Sequence, residues 1–214
     1  GGGGIMISNS EAMIERSVIR NNIANGTPMV GEGRAGGILI YQSDVTLSYV
    51  NILNNYALHH GGGLYAMDNS IITISHSNIK SNIVDESEGA GMGFYGWVSA
   101  DINNSIITDN YSGGLYNGSE QGIAIYISEY STVNINKSVV YNNTTPDINS
   151  SGGISSGIGS NLILENSIVW NNTNINVANN NGSIEIDYSN IQNGWLEGEG
   201  NIDIEPQFNA DYTL

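Results

Sequence analysis

The chain has 214 residues, no cysteine and a formal net charge of −16, from 21 acidic and 5 basic residues. So few bases exclude a nucleic-acid-binding surface, which needs clustered Lys and Arg, and they oppose adsorption to anionic lipid. Without cysteine there are no disulfides and no thiol chemistry, and no apolar run approaches the roughly 18 residues of a membrane-spanning helix.

One short phrase returns seven times along the chain: an apolar residue, two polar residues, Ser, any residue, Ile or Val, two polar residues and Asn. It first runs over 14–22 as IERSVIRNN. The later copies lie at 47–55, 74–82, 102–110, 135–143, 164–172 and, in clipped form, 186–193. The phrases start 22 to 33 residues apart. A rigid phrase with variable spacing predicts a solenoid whose coils share a β core and differ in their loops.

Within each phrase the apolar residues alternate with polar ones, which predicts β-strands with one face in the core. The Ser is expected to lie in a bend where its hydroxyl bonds to nearby backbone. The Asn at the end of each phrase is expected to stack on its copies in a structural amide ladder. This predicted ladder contains Asn22, Asn55, Asn82, Asn110, Asn143 and Asn172.

Each phrase follows another short strand that begins after a glycine pair, as at Gly36-Gly37 and Gly62-Gly63. Glycine there permits a positive φ or a close approach of two backbones. Several short strands per coil predict an all-β fold, a parallel β-helix of about seven coils in one domain spanning 1–214. The segments between each Asn and the next glycine pair vary most, and these are expected to be loops on one side.

The repeated Gly-Gly-Ile/Leu and Asn-Asn patterns resemble right-handed, single-stranded parallel β-helix proteins of the pectate-lyase-like superfamily, and are similar to repeats of polymorphic outer-membrane proteins. The closing stretch at 198–208, GEGNIDIEPQF, resembles the end of the β-helix in large secreted bacterial proteins. Their motif runs Gly-Asn-Ile-Asp-x-Asp-Pro-x-Phe, and Glu205 stands here at the second Asp. The resemblance implies an extracellular or cell-surface fragment of a longer bacterial protein with a C-terminal sorting or anchor domain.

One outward column is a candidate binding surface for polysaccharide or cell-surface glycan. Tyr141 and Trp170 are expected to be adjacent and exposed there, as a flat surface for sugar rings, with Arg20 and Lys80 farther along. The alternative is that flanking loops cover both rings. Trp97 is expected to lie in a loop that packs over the helix.

Calcium is the cofactor that two groups of acidic residues suggest, because Ca²⁺ takes roughly 6–8 oxygen ligands. These residues are Asp85, Glu86 and Glu88 in one group, and Asp203 and Glu205 in the other. The alternative is that they are solvated acids. Adjacent His59 and His60 would point to opposite faces of an extended strand, so we expect a solvated turn there rather than a zinc site.

Catalysis has weaker candidates. A lyase resembling this superfamily would need Arg or Lys beside a charge neutraliser, and a hydrolase would need a carboxylate pair such as Asp101 and Asp109. Neither group forms a recognisable motif. The sequence therefore favours a non-enzymatic β-helix in adhesion, surface architecture or glycan binding. The alternatives are a polysaccharide lyase or glycoside hydrolase, and a filament or stalk subunit that associates end to end.

Overall fold

The computed structural model describes residues 2–26, 33–85, 87–113 and 122–209. These residues form twenty-five short strands in four parallel sheets, three with seven strands and one with four. Every coil contributes one strand to each of the three larger sheets, and each strand pairs in register with strands of the neighbouring coils. This confirms the predicted all-β parallel β-helix solenoid.

The four sheets are named here A to D in the order in which a coil passes through them. Sheet A contains β1 (Ile5–Ser8), β5 (Ile38–Tyr41), β9 (Leu64–Met67), β13 (Met92–Tyr95), β17 (Ile125–Ser128), β20 (Ile154–Ser156) and β23 (Val177–Asn179). Sheet B contains β2 (Glu11–Glu15), β6 (Asp44–Ser48), β10 (Ile71–Ser75), β14 (Ser99–Asn103), β18 (Thr132–Asn136), β21 (Asn161–Glu165) and β24 (Ser183–Asp187). Sheet C contains β3 (Val18–Arg20), β7 (Asn51–Leu53), β11 (Asn78–Lys80), β15 (Ile106–Thr108), β19 (Val139–Tyr141), β22 (Ile168–Trp170) and β25 (Asn190–Ile191). Sheet D contains β4 (Ile23–Ala24), β8 (Tyr56–Ala57), β12 (Ile83–Val84) and β16 (Tyr111–Ser112).

The corners on either side of sheet C are formed by residues in the left-handed region. His76, before the phrase Ser, has φ 49°, and Asn54, before the ladder Asn, has φ 52°. The bend thus lies one residue before the expected Ser. Ser77 instead donates from its hydroxyl to the carbonyl oxygen of Ser75 at 2.8 Å and accepts from the backbone N–H of Val50 at 3.0 Å. The hydroxyl therefore satisfies backbone groups that the bend leaves without strand partners.

The core is a continuous column of inward aliphatic side chains from all three large sheets. Ile52, Ile79 and Ile107 occupy the same position in successive strands of sheet C, and each is fully buried. Because every coil adds the same few branched side chains, the core grows with coil number and needs no single large centre. The described residues include no helix with the length and apolar character to cross a bilayer.

The ladder residues form one buried column between sheets C and D. Each side-chain amide donates to the Oδ1 of the next rung, as from Asn82 to Asn110 at 3.0 Å. The same Nδ2 of Asn82 donates to the carbonyl oxygen of Ile52 at 3.0 Å. Both amide groups of each buried rung are thereby paired, which buried polar groups require.

Five of the seven strands of sheet A begin directly after a glycine, and these glycines are needed for space. At Gly63 a Cβ would lie 2.6 Å from the carbonyl oxygen of Gly91 and 3.0 Å from Nδ2 of Asn82. Neither Gly63 nor Gly91 has a positive φ, so close approach explains them. The glycine column therefore makes room for the amide ladder beside it.

The segments expected to be loops begin with the strands of sheet D at Ile23–Ala24, Tyr56–Ala57, Ile83–Val84 and Tyr111–Ser112. This departs from the prediction, because two-residue strands are too short to show periodicity. At the C-terminal end, Trp195 packs against the core and Ile202 adds a further parallel bridge to Asn190.

Candidate functional site

The predicted glycan column lies on the outer face of sheet C. Arg20, Leu53, Lys80, Thr108, Tyr141 and Trp170 occupy one register position in successive strands. The structure thus brings Tyr141 next to Trp170, as expected. Both rings are only half-exposed, which agrees better with the alternative that flanking segments cover them. The C-terminal segment folds back over sheet C, and the Phe208 ring contacts Tyr141 edge-on with centroids 5.0 Å apart.

The two predicted basic residues of this column stand apart from its rings. Lys80 lies two strands from Tyr141, and its Nζ is 3.2 Å from Oδ2 of Asp109. That carboxylate also accepts a hydrogen bond from Asn142 at 2.6 Å. Arg20 is exposed two strands beyond Lys80 in the first coil. The four predicted residues therefore share a column without converging on one point.

The predicted calcium ligands are dispersed. Asp85 is exposed and accepts from the Tyr56 hydroxyl at 3.0 Å, and Glu86 lies outside the described residues. Asp203 and Glu205 are exposed in the closing segment. Within the described ranges, no three His, Cys, Asp or Glu side chains come close enough together to hold a metal ion. Calcium binding stays a prediction.

Glu88, the remaining predicted ligand, is buried rather than solvated. Its Oε1 lies 2.9 Å from Nδ1 of His60, and its Oε2 accepts a hydrogen bond from Ser87. The expected solvated turn at His60 is therefore wrong, because the loop places it against this carboxylate. Burial would raise the pKa of Glu88, but the hydrogen bond and charge of His60 and the hydrogen bond from Ser87 hold that pKa below its ordinary value.

The His60–Glu88 pair braces loops on the outer face of sheet A. The His60 ring stacks on buried Tyr65 with centroids 5.2 Å apart, and the Arg34 guanidinium lies 6.0 Å from the centroid of Tyr65. Burial and then the charge of Glu88 raise the pKa of Tyr65 far above its ordinary value. Ser87 and Glu88 both contact the same nitrogen of His60, at Nδ1. A nucleophile relay needs its two partners on opposite ring nitrogens, so this geometry is structural.

A second aromatic pair is exposed at the corner between sheets A and B. Trp97 is 60% and Tyr130 is 53% exposed, and their rings stack with centroids 5.5 Å apart and planes inclined by 14°. Both residues have a positive φ, which turns their side chains out of the coil. A Cβ on Gly159 would lie 2.5 Å from Cδ1 of Tyr130, so this ring rests on glycine backbone. The expected packing of Trp97 over the helix is wrong.

We call the stacked pair of Trp97 and Tyr130 the aromatic platform. Polar groups flank it. Asp68 Oδ1 would lie 2.9 Å from a Cβ on Gly96, which places its carboxylate next to the platform. Burial and then the charge of Glu129 raise the pKa of Tyr95, with a further contribution from Asp68. The platform therefore combines flat apolar surface with hydrogen-bond acceptors.

The sequence analysis did not predict the platform, although the alignment of the sheet A strands could have indicated it. Trp97 and Tyr130 each follow a sheet A strand at the same offset, because Tyr95 pairs with Ser128. Aligning the glycine-led strands, as well as the Ser phrases, would have placed the two rings in adjacent coils.

The comparisons with known proteins address the fold. A family model described as the right handed beta helix region matches residues 1–123. The chain belongs to this right-handed β-helix family. The match confirms the predicted right-handed parallel β-helix. No curated protein and no solved structure gives a significant match. Since β-helices carry many functions, membership in the β-helix family assigns no activity.

Proposed function

We propose that this β-helix is a non-enzymatic extracellular domain that binds a neutral glycan on the aromatic platform. The observation that carries the proposal is the stacked, largely exposed pair of Trp97 and Tyr130. Large aromatic surface in water is unfavourable, and exposed patches of this kind mark binding sites. The proposal thus keeps the predicted ligand class and moves its site from Tyr141 and Trp170.

Sugar rings suit the platform because they present an apolar C–H face and a rim of hydroxyl groups. The C–H face would pack on the exposed face of Trp97, while the carboxylates of Asp68 and Glu129 accept from hydroxyls. Contact with the aromatic rings would bury apolar surface of the sugar, and the carboxylate acceptors would fix the orientation of the sugar.

Charge supports a neutral glycan over a uronate or sulfated one. The chain has a net charge of −16, and the carboxylates of Asp68 and Glu129 both raise the pKa of Tyr95, two residues before Trp97 of the platform. Like charges brought together at a binding surface cost affinity and slow association. An anionic polysaccharide would meet repulsion here both locally and at long range.

The non-enzymatic part of the proposal rests on where the ionisable groups lie. The Lys80 ammonium lies beside the Asp109 carboxylate, and Glu88 is held by His60. The Lys80–Asp109 pair lies at sheet C, whereas the two platform residues follow strands of sheet A. Placement outside the cell follows from the resemblance of the closing motif to secreted bacterial proteins, and it remains part of the proposal.

The test is a glycan array with the full 214-residue chain, followed by titration of any ligand found. Trp97→Ala and Tyr130→Ala are expected to weaken binding of a neutral glycan at least about tenfold, or ~1.4 kcal/mol. Tyr49→Ala is the matched control, because Tyr49 is 50% exposed and stacks on His76 at another corner. Undiminished binding by both platform variants would contradict the site. Release of reducing or unsaturated ends would establish an enzyme instead.

A further inference from the structure

A groove of about 240 Å³ opens at the C-terminal end of the solenoid. Asn176 and Val177 form one side of it, and Ile191, Gln192 and Trp195 line the other. It is smaller than the roughly 300–1,000 Å³ of sites for drug-sized ligands, so it suits a group of about one monosaccharide. The groove is far from the aromatic platform along the chain and is built by the last coil.

The amide ladder ends in this groove. Asn172 donates to Oδ1 of Asn176 at 3.0 Å, and Asn176 donates to Oε1 of Gln192 at 3.3 Å. Every rung from Asn22 onward donates in this same direction, so the side-chain N–H groups of Gln192 are the last donors of the series. Hydrogen bonds aligned head to tail polarise one another, which strengthens the terminal donor.

Trp195 supplies a second donor. It packs against the core at the end of the solenoid, and its Nε1 is buried with no hydrogen-bond partner among the described residues. A buried N–H without an acceptor costs about 1–3 kcal/mol, and this cost is recovered when an acceptor reaches it. The two residues that carry these N–H groups, Gln192 and Trp195, therefore line the groove together with the apolar side chains of Val177 and Ile191.

We propose that this groove binds the acetamido group of a neutral N-acetylated sugar. Its carbonyl oxygen would accept from Trp195 Nε1 or the Gln192 amide, and its methyl group would pack on Val177 and Ile191. A carboxylate ligand fits less well, because Oδ1 of Asp203 lies 3.3 Å from the backbone nitrogen of Asn193 at the rim. The groove and the aromatic platform are separate sites, so an experiment can contradict one proposal without contradicting the other.

The experiment is a titration of the full ¹⁵N-labelled chain with N-acetylglucosamine, with glucose as the matched control ligand. The chain has three tryptophans, and Trp195→Phe identifies the Trp195 indole signal by its loss. We expect N-acetylglucosamine to shift that indole N–H signal saturably, and glucose to leave it unchanged. An unmoved Trp195 signal, or equal shifts with both sugars, would overturn the proposal.

Two variants distinguish the contribution of the N–H donors to binding from the contribution of the shape of the groove. Gln192→Glu keeps an acceptor for Asn176 but removes the terminal donors, and Trp195→Phe keeps most of the ring packing but removes the indole N–H. Each is expected to weaken N-acetylglucosamine binding at least about tenfold. Trp97→Ala is the control that should leave this binding intact while weakening binding at the platform. Wild-type affinity in both groove variants would contradict the proposal, and Trp195→Phe alone decides if Gln192→Glu fails to fold.

Discussion

Nδ2 of Asn110 lies 2.9 Å from Oδ1 of Asn143, and both side chains are fully buried. The same nitrogen donates to the carbonyl oxygen of Ile79 at 3.0 Å, while Oδ1 of Asn110 accepts from the backbone and side-chain nitrogens of Asn82. One amide thus links three consecutive coils. Its removal leaves buried partners on both sides without their hydrogen bonds.

Asn110→Ala is therefore expected to lower the free energy of unfolding by about 3 kcal/mol or more. Asn22→Ala, at the half-exposed first rung, is the control and should cost about 1 kcal/mol. Urea denaturation at neutral pH measures both. Equal losses for the two variants would show that burial and position in the ladder have no effect.

Gly63→Ala tests the close approach of the glycine column to the ladder. The added Cβ would meet the Gly91 carbonyl oxygen at 2.6 Å, so we expect a loss of about 2 kcal/mol or more in unfolding free energy. Ala124→Gly, at the equivalent place in the fifth coil, is the reverse substitution and should cost at most about 1 kcal/mol. A stable Gly63→Ala protein would mean that flexibility, not space, explains the glycine.

The buried Glu88 carboxylate makes stability depend on pH. Its pKa is lowered in the folded state, so its contribution is present above the unfolded value near 4.5 and is lost as the pH falls through the folded value. Wild-type unfolding free energy should therefore begin to drop as the pH falls below the unfolded value near 4.5, and more steeply than in Glu88→Gln. Parallel pH profiles for the two proteins, measured by urea denaturation, would refute this.

Phe208→Ala is expected to loosen the closing segment from sheet C. Loss of the edge-on contact with Tyr141 should cost about 0.5–1.5 kcal/mol beyond the lost area and expose the segment to proteases. Limited proteolysis with mass spectrometry measures the cleavage rate near residue 208. Gln207→Ala is a neighbouring control that should be cleaved as slowly as the wild type.

The repeat was a reliable guide to the fold because nearly every phrase carries its own strand alternation, Ser and Asn, with Val50 at the Ser position of the second copy. Inward residues such as Ile79 and Val169 are buried where alternation placed them. The strands of sheet D could not be predicted, because two residues are too few to show an alternation of polar and apolar side chains. The left-handed backbone at the corners could not be predicted, because residues as different as Arg16, Tyr49 and Lys137 occupy these positions.

The candidate site was harder to predict because it depends on tertiary contacts that a phrase does not encode. Phe208 reaches Tyr141 only after the closing segment turns back across sheet C. His60 and Glu88 lie in separate loops, 28 residues apart in the sequence, and meet only through coil stacking. The stacking of Trp97 on Tyr130 required the register of sheet A, which glycine spacing shows less clearly than the Ser phrases do.

Coil length varies from 27 to 33 residues between Asn22 and Asn172 while the rungs of the ladder keep their contacts. The differences in length are absorbed mainly between the end of one phrase and the next sheet A strand. Residues can thus be gained or lost at that edge without shifting any buried side chain to the wrong face. Selection on the buried residues is therefore separate from selection on these exposed segments. The exposed surface can change in sequence and length while the fold stays the same.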